Sequence, residues 1–235
     1  MSASQKVVIV TGASQGMGAE IVKAFRKLDY RVVATSRTIK PSDDPSILTV
    51  AGDIGDPATA RRVIDEAVTR FGRVDTLVNN DGIYIGKPFT EHSLEDFNAV
   101  LNVNVAGFYH ITQLAIAEME KHGRGHVVTI TGSVENGISG AHTALAALTK
   151  GGLNYVTKAL AIEYASKGIR INAVAPGVMK TPMHKEEYYE LLGSLHPLGR
   201  MGEPSEVASA IVFLDSAEFI TGEILHVDGG QSAGR

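Results

Sequence analysis

Lys6-Val7-Val8-Ile9-Val10-Thr11-Gly12-Ala13-Ser14-Gln15-Gly16-Met17-Gly18 is the stretch on which the fold turns. Lys6 to Val10, dominated by β-branched side chains, reads as a buried strand, and an apolar helical periodicity follows from about Gly16 to Leu28. The glycines lie at the junction between the two. A chain that passes from strand through a glycine turn into a helix aims several backbone N–H groups at one point, which suits a phosphate. Gly12 permits the tight turn, Gly16 allows close approach of the backbone, and Gly18 lets the helix pack on the sheet. Ser14, Gln15 and Met17 complete a loop expected to face a pyrophosphate.

Beyond this unit the alternation of strand and helix continues. Arg31 to Thr35, Ile47 to Val50, Thr76 to Asn79, Val127 to Ile130, Ile169 to Val174 and Glu223 to Val227 are short runs with strand character. Helical patterns cover about Pro57 to Phe71, with proline in the opening turn, Leu94 to Lys121, Thr143 to Ser166 and Glu203 to Leu214. Gly123 and Gly125 are expected to break the long helix, and Pro176 with Gly177 to stop the sixth strand. Thr181 to Arg200 reads as a helical flap. The pattern predicts an α/β fold: a doubly wound parallel sheet of about seven strands, the Rossmann fold, with helices on both faces. A single domain over residues 1–235 is expected, because no linker, repeat or low-complexity tract interrupts the chain. The ligand of such a sheet lies at the carboxyl ends of its strands.

Composition narrows the partners. The 235 residues are 44% hydrophobic and 20% charged, as in an ordinary globular protein. A formal net charge of -4 and the lack of any Lys/Arg-rich run give no field for nucleic acid. The chain has no cysteine, so disulfides, thiolate nucleophiles and cysteine-based zinc sites drop out, and the cytoplasm is the expected compartment. Neither an apolar export signal at Met1 to Lys6 nor an apolar run of about 18 residues is present, so no membrane association is expected. No metal site is expected either. His122 and His126 are four apart, but Gly123 and Gly125 between them argue against a shared helical face.

The end of the second strand selects the nucleotide. An acidic residue there would accept ribose hydroxyls and repel a 2'-phosphate, whereas this chain offers Ser36 and Arg37. A guanidinium to phosphate bond contributes about 1.5–3 kcal/mol, roughly ten- to 150-fold in affinity. NADP is therefore favoured over NAD.

The spacing of Thr11, Gly12, Gly16 and Gly18 resembles the short-chain dehydrogenase/reductase family, and further landmarks follow in the same order from Lys6 to Gln231. Asp53 with Ile54 resembles the pair that contacts the adenine. Asn79, Asn80, Asp81 and Gly82 resemble an Asn-Asn-Ala-Gly turn. Pro176, Gly177, Val178 and Thr181 resemble the segment that holds the nicotinamide carboxamide, and Val227 to Gly230 the usual ending. The resemblance implies that Asn104 organises water, that Ser133 binds the substrate oxygen, with Thr131 as a stand-in, and that Lys150 holds the ribose. It implies a homotetramer or homodimer built through the two long helices and the last strand, where Ala106, Ala147, Leu153 and Leu160 are suitably small or apolar. Gln15 is neutral where many NADP-using relatives carry a second basic residue.

Two positions depart from that pattern. Asp81 puts a carboxylate where the family usually has alanine, close to an anionic dinucleotide. The second departure is larger: the family's proton-donating tyrosine stands four residues before its lysine, and this chain has Ala146 there. Tyr155 lies nine positions further on, half a turn from the required face at about 100° per residue, and reads as packing. His142, near the loop-to-helix junction, is a candidate because imidazole exchanges protons near neutral pH, and Glu135 could orient it. Tyr84, Tyr188 and Tyr189 fall in segments expected around the substrate mouth, as wall contacts. Three readings stay open. The first is an NADP-dependent reductase or dehydrogenase acting on a carbonyl or alcohol, its proton handled by solvent or His142. The second is a coenzyme-binding protein with little redox activity, and the third a lyase-type enzyme using Lys150 as base. Tyrosines and leucines between Met183 and Leu195 suggest an apolar or aromatic small-molecule substrate.

Overall fold

Successive side chains of a strand point to opposite faces, and Val7, Val8, Ile9 and Val10 are all fully buried, so both faces of their sheet must be covered. The computed structural model, which describes residues 5–133 and 142–233, contains that arrangement. Strands β1 (Val7–Thr11), β2 (Arg31–Ser36), β3 (Ile47–Ala51), β4 (Thr76–Asn79), β5 (Gly125–Ile130), β6 (Ile169–Pro176) and β7 (Ile224–Val227) form one sheet. Their order is β3-β2-β1-β4-β5-β6-β7 and every pairing is parallel. The helices are α1 (Gly16–Lys27), α2 (Pro57–Phe71), α3 (Leu94–Leu101), α4 (Phe108–Glu120), α5 (Ala144–Tyr164), α6 (Tyr189–Gly193) and α7 (Pro204–Ser216). The doubly wound α/β fold expected from the sequence is the fold found.

The sheet feeds two main cores. Val7, Ile9, Leu77 and Val127 pack with Val63 and Ala67 of α2, Ile111 and Ala115 of α4, and Ala161 of α5. Val8, Val10, Val32 and Val128 face the other way, onto Ile21 and Phe25 of α1 and Val207, Ile211 and Leu214 of α7. Full burial of such side chains contributes about 1.5–3 kcal/mol each. Among the described residues no helix is long and apolar enough to cross a membrane.

Three local expectations are corrected. The helix ends before Gly123 and Gly125 as expected, but β5 begins at Gly125, two residues ahead of the expected Val127: a Cβ there would lie 2.4 Å from the Met119 sulfur, and the glycine lets the strand pass under α4. The helix expected over Leu94 to Lys121 runs as α3, a π-helical segment over Asn102–Gly107, and α4. Asn102, Val103, Asn104 and Val105 are weak helix formers, and Gly107 rests on Ile54, where a Cβ would come within 2.8 Å of Ile54 Cγ2. The flap is mostly irregular: only α6 and a 3₁₀ turn at Glu186–Tyr188 are helical, with Pro182, Pro197 and the left-handed Gly199 (φ +70°) interrupting the rest. Of the residues expected at a subunit contact, Leu153 is buried and Leu160 packs on the protomer's own core. Tyr109, Leu148, Tyr155 and Ile162 are instead among the large exposed side chains of α4 and α5.

The amino ends of the strands are tied by one carboxylate. Asp215, on the last turn of α7, accepts from Tyr30 Oη (2.6 Å), Thr76 Oγ1 (2.7 Å) and His126 Nδ1 (3.2 Å). Asn172 Nδ2 donates to His126 Nε2 at 3.1 Å, so the imidazole is neutral and carries its proton on Nδ1 toward Asp215. Burial alone would raise the Asp215 carboxyl, but the bonds from His126, Tyr30 and Thr76 outweigh it and hold its pKa at about 2. Its folded pKa lies below the unfolded value, so its stabilisation is present above about pH 4 and fades as pH falls toward 2. Asp215→Ala, which strands three buried partners, is expected to cost about 3 kcal/mol in urea unfolding at pH 7. That difference should shrink as unfolding is repeated at progressively lower pH.

Candidate functional site

At the carboxyl ends of the strands the glycine turn does what its spacing requires. Gly12 (φ +63°) and Gly16 (φ +55°) occupy the left-handed region. A Cβ on Gly18 would sit 2.2 Å from the Gly12 carbonyl oxygen, so only glycine lets α1 start against its own turn. No side chain caps the first N–H groups of α1, and its first turn holds no acidic residue. Those uncapped donors and the helix dipole favour an anion. The turn is locked from β4: Asn80 Nδ2 donates to the carbonyls of Thr11 (2.9 Å) and Gly12 (3.2 Å), and Thr11 Oγ1 accepts the N–H groups of Asn80 and Asp81, both at 3.0 Å.

A trough of about 370 Å³ opens over this turn, between Ser14, Gln15 and Met17 on one side, Ser36 and Arg37 at the end of β2, and Asn80 to Gly82 after β4. A wider cleft of about 640 Å³ lies at the opposite edge, beside Lys6, Arg124 and Asp215, where the amino ends of the strands lie. Thr181, at the start of the flap, closes the trough; its Cβ stands 3.4 Å from where a Cβ of Gly16 would be. Ser36 is buried and its Oγ accepts the Thr38 N–H at 3.3 Å, while Arg37 is exposed. Burial raises the Asp81 carboxyl above the usual range; Arg37 pulls it back and Asp53 adds to the rise. Asp53 also accepts the Gly55 N–H at 2.9 Å. Ile54 is buried in the core under Gly107.

Further along the same edge, Lys150 on α5 donates to the Thr131 carbonyl at 2.7 Å, and burial lowers its pKa to about 8. Thr131 is fully buried with its hydroxyl on the Val174 carbonyl (3.4 Å), so it cannot replace Ser133 at a substrate. Ser133 is half-buried, and its hydroxyl is directed to Asp228 Oδ2 (3.0 Å) and the Ala175 carbonyl (3.2 Å). Asn104, in the π-helical segment, holds both polar groups of Ile83: its Oδ1 accepts the N–H (2.9 Å) and its Nδ2 donates to the C=O (3.1 Å). The same Nδ2 reaches Thr149 Oγ1 at 3.2 Å, beside Lys150. His142 is exposed with φ +72°, and its carbonyl accepts from Tyr84 Oη at 3.1 Å. Glu135, expected to orient His142, lies outside the described residues. Tyr155 is 77% exposed with its ring beside the Lys158 ammonium (5.9 Å), on the far face of α5 as its angular offset requires.

One feature had no sequence signal. His196, the second of two histidines within the flap, is buried, and its Nε2 accepts the Val178 N–H at 2.9 Å. The Val178 carbonyl accepts the Gly202 N–H at 3.0 Å. The Val178 N–H is thus taken internally and its carbonyl already holds one bond, which leaves the carbonyl's second lone pair and the side chain to a ligand. Gly177 is glycine for the same reason: a Cβ there would lie 2.6 Å from His196 Nε2.

Comparison with known proteins agrees with this geometry. The family model described as enoyl-(acyl carrier protein) reductase matches residues 12–232. The 3beta-hydroxysteroid dehydrogenase 1 of Eggerthella lenta is 34% identical over 97% of this chain and 94% of its own. The 3-oxoacyl-(acyl-carrier-protein) reductase FabG of Thermotoga maritima is 36% identical, covering 96% and 97% respectively. Among solved structures, ElxO with NADP bound superposes with a TM-score of 0.91 at 34% identity, over 98% of this chain and 100% of that one. The chain belongs to the short-chain dehydrogenase/reductase family. It is thereby an oxidoreductase-family protein whose similar relatives are named for dehydrogenase and reductase activities. Among the described residues of this family member, no group of three or more His, Asp or Glu is arranged to hold a metal ion.

The Asn104 clamp is open to a direct test. Asn104→Ala leaves the Ile83 N–H and C=O and the Thr149 hydroxyl short of a partner, and is expected to lower stability by about 2–3 kcal/mol in urea unfolding. Asn104→Asp, which keeps the acceptor for the Ile83 N–H but loses the donor, is expected to fall between the two.

Proposed function

We propose that the protein is an NADP-dependent oxidoreductase that interconverts a carbonyl and an alcohol on a small, apolar or aromatic molecule. The observation that carries the reading is the trough itself: a glycine turn with uncapped amides at one end and Arg37, with no carboxylate on β2, at the other. The residues present fit the coenzyme. Gly12 to Gly18 would take the pyrophosphate, Ser36 and Arg37 the 2'-phosphate, and Lys150 the second ribose, with Asp53, Ile54, Asn80, Gly82 and the Pro176 to Thr181 segment lining the remainder. When bound, the nicotinamide supplies or removes the hydride at the reacting carbon. Ser133 would polarise the substrate oxygen after turning its hydroxyl away from Asp228. Ala146 stands in the place of the family's proton-donating tyrosine, so the proton must come from elsewhere, with His142 and water near Lys150 and Asn104 among the available sources.

A second reading, coenzyme binding with little redox activity, is favoured by two observations: alanine at position 146 and the engagement of Ser133 with Asp228. A panel of acetophenone, cyclohexanone, ethyl acetoacetate and diacetyl, followed by NADPH absorbance, separates the two. Consumption above the carbonyl-free rate supports the first reading, and its absence with saturating NADPH bound supports the second. We also propose assembly into a dimer or tetramer through α4 and α5, because Tyr109, Leu148, Tyr155 and Ile162 are exposed there. On a sizing column, Tyr155→Glu with Ile162→Glu should elute later than the parent.

Calorimetric titration checks the coenzyme. Arg37→Ala is expected to weaken NADPH by roughly ten- to 150-fold while leaving NADH within about threefold; an unchanged ratio overturns the assignment. Lys150 adds a pH dependence. Its ammonium is present below about pH 8 and lost above it, so NADPH affinity should fall as pH rises through that value, and Lys150→Met should flatten the profile.

A further inference from the structure

Carbonyl reduction ends with a proton on oxygen, and Ala146 has none to give. We propose that Tyr84 is the catalytic residue that exchanges this proton, reaching the reacting oxygen from the loop after β4 instead of from α5. The inference rests on the reductase reading above and adds the group that reading lacks.

Elimination narrows the choice among the chain's seven tyrosines. Tyr30 is bonded to Asp215 at the amino edge of the sheet. Tyr155 points away from the site and is 77% exposed, Tyr109 is exposed beside Gln113, and Tyr164 lies at the far end of α5 near Lys167. Tyr188 and Tyr189 belong to the flap, with no hydrogen bond from either hydroxyl among the described residues. Tyr84 alone places its hydroxyl on the entrance of α5, 3.1 Å from the carbonyl of His142, which precedes Ala146 by four residues.

The surroundings hold it there. Asn104 grips the N–H and C=O of Ile83, so the backbone entering Tyr84 has a fixed direction. Through Thr149 the same amide is tied to the residue preceding Lys150, which keeps the Tyr84 loop and α5 in register. Gly86 gives the phenol its room: a Cβ there would lie 2.7 Å from Tyr84 Oη. The side chain is 44% exposed, so a substrate entering the mouth can meet it. Burial of the ring raises the phenol above its ordinary value, which keeps it protonated and able to donate at neutral pH.

The step balances with these groups. In reduction, a hydride adds to the carbonyl carbon, the π pair moves to oxygen, and the Tyr84 O–H bond breaks to give that oxygen its proton. The phenolate then takes a proton from water at the open mouth. In oxidation each movement reverses. Before substrate arrives the hydroxyl rests on the His142 carbonyl, an ordinary bond that a substrate oxygen can exchange for its own.

Tyr84→Phe removes one oxygen and keeps the ring. With the fastest ketone of the panel named above, we expect kcat to fall by about 10²-fold or more, with NADPH affinity unchanged by calorimetry. A readout independent of turnover is the affinity of the matching alcohol for the protein saturated with oxidised NADP. It should weaken about tenfold in Tyr84→Phe, through loss of one hydrogen bond. Ala146→Tyr in the Tyr84→Phe background should restore part of kcat. If the parent protein reduces a panel ketone and Tyr84→Phe does so at the same rate with the same alcohol affinity, Tyr84 is not the donor and the reductase reading stands. If the parent protein reduces none of the panel, that reading falls first and takes this one with it.

Discussion

Asn80 binds the exits of β1 and β4 into one piece. Its amide donates to two successive carbonyls of the glycine turn, while the Thr11 hydroxyl accepts two successive N–H groups after β4. Four hydrogen bonds between two short segments leave the turn no freedom to relax, so the uncapped amides of α1 keep a common direction. Glycine at positions 12 and 18 is the other half of the constraint. A Cβ at either would collide with Asn80 Nδ2, at 2.9 and 2.8 Å, so the lock and the glycines require each other. An anion site made from backbone amides works only if those amides stay put, and everything placed around the trough presupposes this.

A second side-chain amide performs a similar task beside α5. Asn104 sits in a π-helical segment, where the altered turn presents its side chain toward Ile83 and Thr149 rather than along a regular helical face. One residue thereby connects the loop after β4, the long helix and α5. The scaffold itself does not depend on the side chain at position 146. Ala146 contributes a helix carbonyl to Thr149 Oγ1 at 3.3 Å, and any residue in that place would do the same.

The amino edge of the sheet illustrates how differently buried charge is used. Asp215 is kept ionised by three donors and contributes to stability, whereas Asp81, with burial dominant and Arg37 only partly compensating, is pushed the other way. Two aspartates at opposite ends of the same sheet are thus moved in opposite directions by the balance between desolvation and hydrogen bonding. Neither direction is readable from the residues alone, because each depends on partners from distant segments; Asp215 meets Tyr30, which is 185 positions away.

Much was legible in the chain. Alternating β-branched runs and apolar helical periods determine the strand order class, the two-faced core and the position of the glycine turn, because those signals are local and repeat every few residues. The absence of an exchangeable proton at position 146 is likewise a sequence fact. Tertiary structure decided the rest. It showed that Gly125 serves close packing at the start of β5, that the flap is largely irregular, and that both main-chain groups of Val178 are already used, one by His196. It also turned Ser133 toward Asp228 and brought the Tyr84 hydroxyl to the start of α5. The Val178, Ser133 and Tyr84 contacts join segments well separated in sequence, and hydrogen-bond partnership over such distances is set by how layers pack, for which the local pattern of residues carries no signal.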